Sequence, residues 1–144
     1  MAPPPVRFDR LAKVKAHHEE AAREALMTAL ADAEARRQDH ADAHAAAFTE
    51  VRGAGDIADW ALADLSHMRA LSSLSHAEER MMEADQRAEE ARSGHTSAYR
   101  DLRVIERLVE HRREAVLAQR RRAEQKELDE LAVMLHGSSS VRGI

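Results

Sequence analysis

Residues 70–123 read ALSSLSHAEERMMEADQRAEEARSGHTSAYRDLRVIERLVEHRREAVLAQRRRA. With Leu74 as heptad position a, the a positions are Leu74, Met81, Ala88, His95, Leu102, Val109, Val116 and Ala123. The d positions are Ala70, Ala77, Ala84, Ala91, Ala98, Ile105, Arg112 and Gln119. All but His95, Arg112 and Gln119 are apolar, and the residues between them are mostly Arg, Glu, Asp, Gln or Ser. An apolar period of about 3.5 residues held this long describes a helix that needs a partner helix. A seam of this kind has no concave pocket, so such a chain works through what it touches.

The rest of the composition agrees. In 144 residues, charged side chains make up 33% and aromatics only 3%, too few large side chains for a thick globular core. The three prolines are Pro3, Pro4 and Pro5, and none follows. Abundant Ala, Glu, Arg and Leu at helical spacing is coiled-coil composition. Alanine layers let helix axes approach closely but bury little area, so each layer contributes weakly. There is no cysteine, which excludes disulfides. No run of about 18 apolar residues could span a membrane, and Met1–Arg7 has no apolar signal core. A cytoplasmic protein without direct membrane insertion is expected. The net charge of −4 argues against nucleic acid as the main partner.

Working outward, the chain reads as an all-α antiparallel hairpin. A first helix is expected from about Arg7 to Arg52, with Phe8, Leu11 and Val14 on one face. Beyond them its stripe is nearly all alanine: Ala21, Ala22, Ala25, Ala29, Ala33 and Ala47. No single heptad frame covers it, which suggests a stutter. Gly53-Ala54-Gly55-Asp56 is the one strong internal break. Gly53 suits a left-handed helix end, and Asp56 suits the N-cap of the next helix. The second helix is expected from about Ile57 to His136, continuous through Gly94, with Gly137 as its C-terminal cap and residues 138–144 as a tail. The whole is one coiled-coil domain. Counting from the turn sets Arg7 opposite Leu102, so the stretch from about Arg103 to His136 overhangs by roughly 50 Å. That overhang carries Ile105, Leu108, Val109, Val116, Leu117, Leu128, Leu131, Val133, Met134 and Leu135. A lone helix with such a surface is poorly stable in water, so a partner should cover it.

Few residues suggest chemistry. His40 and His44 stand at i, i+4, a spacing that can chelate a metal, but two histidines leave the coordination sphere unfilled. A solvated or seam-edge role fits them better, and no metal or cofactor is expected. His95 at an a position reads as a register-fixing polar residue. Between Arg100 and Lys126 basic residues outnumber acidic ones, densest at Arg112-Arg113 and Arg120-Arg121-Arg122. Interleaved Glu106, Glu110 and Glu114 suit a salt-bridged solvated face. The sharper reading is a docking surface for an acidic protein. No aromatic residue interleaves the arginines as nucleic-acid binding would favour. No phosphate loop, nucleophile elbow or zinc-protease pattern occurs, which points away from an enzyme. Phe48, Val51 and Trp60 flank the turn as either a packing cap or an exposed apolar patch.

Residues 120–132, Arg120-Arg-Arg-Ala-Glu-Gln-Lys-Glu-Leu-Asp-Glu-Leu-Ala132, resemble the C-terminal signature of the FliJ family. Phe8-Asp-Arg-Leu11-Ala-Lys-Val14 is similar to that family's opening, and the chain length, mid-chain break and single tryptophan also fit. The resemblance implies a coiled-coil stalk of the bacterial flagellar type III export apparatus, without enzymatic activity of its own. It implies insertion into the hexameric export ATPase, binding to the cytoplasmic part of the export gate, and recycling of export chaperones, at the inner face of the membrane. On that reading Arg121, Arg122, Gln125, Lys126, Leu128, Asp129 and Leu131 meet the ATPase ring, and Phe48, Val51 and Trp60 meet the gate. The rivals are a self-associating structural coiled coil with paired overhangs, and a helical protein associated with nucleic acid.

Overall fold

The computed structural model describes residues 6–49 and 55–141. It is all-α: helix α1 spans Val6–Phe48, 43 residues, and helix α2 spans Ile57–Val141, 85 residues. The two pack as an antiparallel hairpin, and α2 overhangs at its C-terminal end.

The start of α2 is written in two aspartates. Asp56 Oδ1 accepts from the Asp59 amide at 3.0 Å, and Asp59 Oδ2 accepts from the Asp56 amide at 3.2 Å. This is a capping box, with each carboxylate satisfying an amide that the helix start leaves free. Gly55 sits against it: a Cβ there would meet Asp59 Cβ at 2.8 Å.

The α2 seam follows the heptad frame. From Ala70 to Val116 every a and d position is buried or half-buried, and of the residues between them only Asp85 joins them. The first helix corrects the expectation of a stutter. Its covered residues include Phe8, Ala12, Lys15, Glu19, Ala22, Leu26, Ala29, Ala33, Arg36, His40, Ala43 and Ala47, alternately four and three apart. One frame therefore covers α1 from end to end. Polarity hides it, because Lys15, Glu19, Arg36 and His40 occupy seam positions, while Leu11, Val14, Met27 and Leu30 lie off the seam and exposed.

The element ends also differ from expectation. α1 stops at Phe48 rather than near Arg52, and the cap expected at Gly53 lies outside the described residues. α2 runs to Val141, through Gly137 as well as Gly94, and no described glycine has a positive φ. Gly137 is thus a helical residue, not a C-terminal cap.

Two compact units divide the chain, residues 16–100 and residues 1–15 with 101–144. Within 16–100 the core is Ala33, Ala84 and Ala88, with Ala29 packed against it. Arg37 Nη2 donates to Asp85 Oδ1 at 2.9 Å across the seam. Within the other unit, the Arg112 guanidinium lies 4.9 Å from the Phe8 ring centroid, in cation–π range. Arg113 pairs with Asp9 at 3.8 Å and Lys15 with Asp101 at 3.7 Å.

These contacts correct the register. Phe8 lies beside Arg112, so Arg7 is not opposite Leu102. The connection runs from 49 to 56, and residues 57–62 of α2 are all exposed before cover begins at Ala63. The pairing consequently slides toward the C-terminal end of α2. Ile105, Val109 and Val116, expected in the overhang, are half-buried in the seam instead. The uncovered stretch begins at Leu117, not Arg103.

Candidate partner-docking surfaces

Among the described residues the most buried charged group is Glu19, 4% exposed at a seam position of α1. Its Oε1 accepts from Arg23 Nη2 at 2.6 Å and Nε at 3.2 Å, one turn along the same helix. It also faces His95 Nε2 across the seam at 3.1 Å. The Arg23 hydrogen bonds first, then that of His95, hold the carboxyl below its ordinary range, against the opposing effect of burial. His95 thus meets a polar partner at its seam position. A group sealed between two helices has no open face for a substrate, so we assign it to structure.

At the N-terminal start of α1 the seam opens into a notch of about 350 Å³. Phe8, Val109, Val116 and Leu117 line it, with Arg112, Arg113 and Arg120 at its rim and Asp9 beside them. Sequence reasoning missed this feature, because its register placed Phe8 some ten residues away along α2. Arg113 reaches across to Asp9 on α1 at 3.8 Å. Arg103–Glu106 at 3.2 Å and His111–Glu114 at 3.8 Å supply pairs along α2.

Beyond the notch, every residue from Leu117 to Ser140 is exposed. Leu128 is 61% exposed, Leu131 55% and Leu135 68%. Arg121, Arg122, Gln125, Lys126, Leu128, Asp129 and Leu131 all lie on this stretch, but the helix spreads them around its circumference. Continuing the seam frame, Arg121 and Leu128 fall at f and Leu131 at b. Lys126 falls at d, Gln125 at c, and Arg122 and Asp129 at g. Gln125 Nε2 donates to Asp129 Oδ1 at 2.9 Å, one turn on. Arg121, Leu128 and Leu131 share one face, and Arg122, Gln125 and Asp129 share another.

At the hairpin tip Phe48 is 62% and Trp60 60% exposed. The Phe48 ring packs on His44 with centroids 4.6 Å apart. A groove between the helices there is lined by Phe48, Leu62, Ala63 and Ala70, and Trp60 stands outside it. Val51 lies outside the described residues. His40 is half-buried in the seam with its ring centroid 6.4 Å from that of His44. Among the described residues no group of three or more His, Cys, Asp or Glu gathers as metal ligands do. No helix there is long and apolar enough to cross a membrane. No family model, curated protein or solved structure matches the chain.

Proposed function

We propose that this protein is a non-enzymatic stalk of the bacterial flagellar export machinery. It engages a hexameric export ATPase through the free end of α2, and the cytoplasmic part of the export gate through its tip. The observation that carries the reading is the helical stretch from Leu117 onward, which is exposed on all sides and rich in leucine. A helix bare over its whole circumference suits the centre of a ring, where contacts come from every direction. The arginines at 112, 113 and 120–122 give the entrance to that stretch a basic collar. Such a collar would speed encounter with acidic groups of a ring and fix orientation.

At the tip, Phe48, Ile57 and Trp60 stand free of the seam, as residues reserved for a gate would. The resemblance of residues 120–132 to the FliJ family names the assembly; the bare helix supports the mode of docking. The test is removal of residues from Ala123 onward. The covered hairpin, which ends at Val116, should stay folded by circular dichroism, while stimulation of the export ATPase is lost. If the truncated protein stimulates the ATPase as well as the intact one, the stalk reading is wrong.

A further inference from the structure

Trp60 is the one tryptophan of the chain, and it stands 60% exposed near the start of α2. Its amide donates to the Asp56 carbonyl at 3.2 Å, so Asp56 lies one turn before it, and Asp64 lies one turn after. Ile57, also exposed, shares this face. From Asp56 to Asp64 there are three aspartates and no basic residue. The tip therefore presents an aromatic side chain between two carboxylates. The notch at the start of α1 has the converse character. Phe8, Val109, Val116 and Leu117 give it an apolar floor of about 350 Å³, and Arg113 and Arg120 flank that floor two turns apart on α2. Of the charged side chains lining it, three are arginines and only Asp9 is acidic. From Glu110 to Glu124 five arginines stand against three glutamates, so the surroundings stay basic.

We infer that the tip of one copy of the chain docks in the notch of a second copy. Trp60 enters among Phe8, Val116 and Leu117, where the indole loses water-exposed apolar area and meets the Phe8 ring. The guanidiniums at the rim reach its face in cation–π contact, for which tryptophan is the best acceptor. Charge spacing sets the register. Asp56 and Asp64 are eight residues apart, about 12 Å of helix, and Arg113 and Arg120 are seven apart, about 10.5 Å. Two helices laid side by side therefore bring both carboxylates against both guanidiniums at once, with Trp60 between them. Asp56 keeps Oδ2 for this pairing, because it is Oδ1 that accepts from the Asp59 amide. Tip against tip would set aspartate on aspartate, and notch against notch arginine on arginine, so neither patch pairs with its own kind. Each chain offers one tip and one notch, so the contacts either close as a reciprocal pair or run on as an open chain. One aromatic anchor and two exposed ion pairs make a small interface, so the association is weak and reversible. The inference does not depend on the export reading, because the protein alone associates or fails to.

The experiment is sedimentation equilibrium of the full chain up to about 0.1 mM, a range in which a small interface registers, with Trp60 emission as a second readout. The intact protein should associate as concentration rises, and its tryptophan emission should move to shorter wavelength in step. Kd should rise severalfold as salt goes from about 0.1 to 0.5 M, since the paired charges lie at the surface. A notch variant carries Arg113→Glu and Arg120→Glu; a tip variant carries Trp60→Ala and Asp64→Arg. Each alone should associate roughly tenfold more weakly or worse, at unchanged helicity. The notch variant keeps its tip and the tip variant keeps its notch. An equimolar mixture should therefore recover a one-to-one complex, in which the notch variant's Trp60 supplies all the tryptophan emission and shifts it. A monomer at every concentration, variants that associate as tightly as the intact chain, or a mixture whose emission stays unchanged would each overturn the docking.

Discussion

One carboxylate oxygen of Glu19 takes hydrogen bonds from Arg23 and faces His95, in a seam otherwise made largely of alanine. Such a layer adds little net stability but punishes any other register, because a slipped Glu19 would be buried without a partner. The sequence shows half of it. His95 breaks an apolar series and is conspicuous, whereas Glu19 lies in a helix full of glutamates and nothing local marks it. Only the demand that a polar residue at a be met by another across the seam could have singled it out. Folding lowers the Glu19 pKa. A group of this sign stabilises the fold above its unfolded pKa, and that contribution disappears as pH falls through the folded value. Intact protein should therefore melt earlier as pH drops below about 4, the ordinary glutamate range. Glu19→Gln should lower the Tm at pH 7 and narrow its gap to the intact protein toward pH 3. A gap that stays constant in thermal melts across that range would remove Glu19 from the pH response.

The two helices differ in legibility for a physical reason. In α2 the seam is apolar, so periodicity and burial coincide. In α1 four seam positions carry Lys15, Glu19, Arg36 and His40, and long side chains can occupy a seam by laying their stems along it. Apolarity then ceases to track the frame, although the four–three spacing persists. The register is harder to read, because residues 57–62 of α2 lie outside the seam and pairing counted from Ile57 begins too early. At this scale the alanine core sets a clear constraint. Ala33 is 1% and Ala84 2% exposed, with no larger side chain equally buried between the helices. Ala33→Leu should force the helices apart and cost about 1–3 kcal/mol, read as a lower denaturation midpoint. Gly94 tests the opposite sign. It sits inside α2 with nothing within 4 Å of an added Cβ, so Gly94→Ala should stabilise by about 0.5–1 kcal/mol through helix propensity alone. A neutral or destabilising Gly94→Ala would mean that the glycine serves a bend or a contact made only with a partner.

For the molecule as a whole, the unequal helix lengths divide α2 into a paired stretch and a bare one. The paired stretch is held by alanine layers, each burying little, so its stability comes from many small terms acting together. The bare stretch from Leu117 has only its own backbone hydrogen bonds and contacts such as Gln125–Asp129. In proteins most helical stability comes from packing against a partner, which this stretch lacks. Local opening free energies should therefore fall sharply along one continuous helix. Amide hydrogen exchange at low protein concentration, where chains stay monomeric, would measure this. Amides of residues 77–91, around Ala77, Ala84 and Ala88, should exchange slowest. Those from about Arg121 to the C-terminal end should exchange orders of magnitude faster, although both stretches are α-helical. Adding a partner that grips the free end, such as an ATPase ring, should slow the second set and leave the first nearly unchanged. The ordering of a loose end on binding costs free energy and weakens the contact. In return, such a helix could meet successive surfaces without a fixed interlock, as the proposed stalk within a symmetric ring would have to. Equal protection on both sides of Leu117 in the free monomer would mean that the end is held rigid by its own sequence. The adaptable-stalk account would then lose its physical basis.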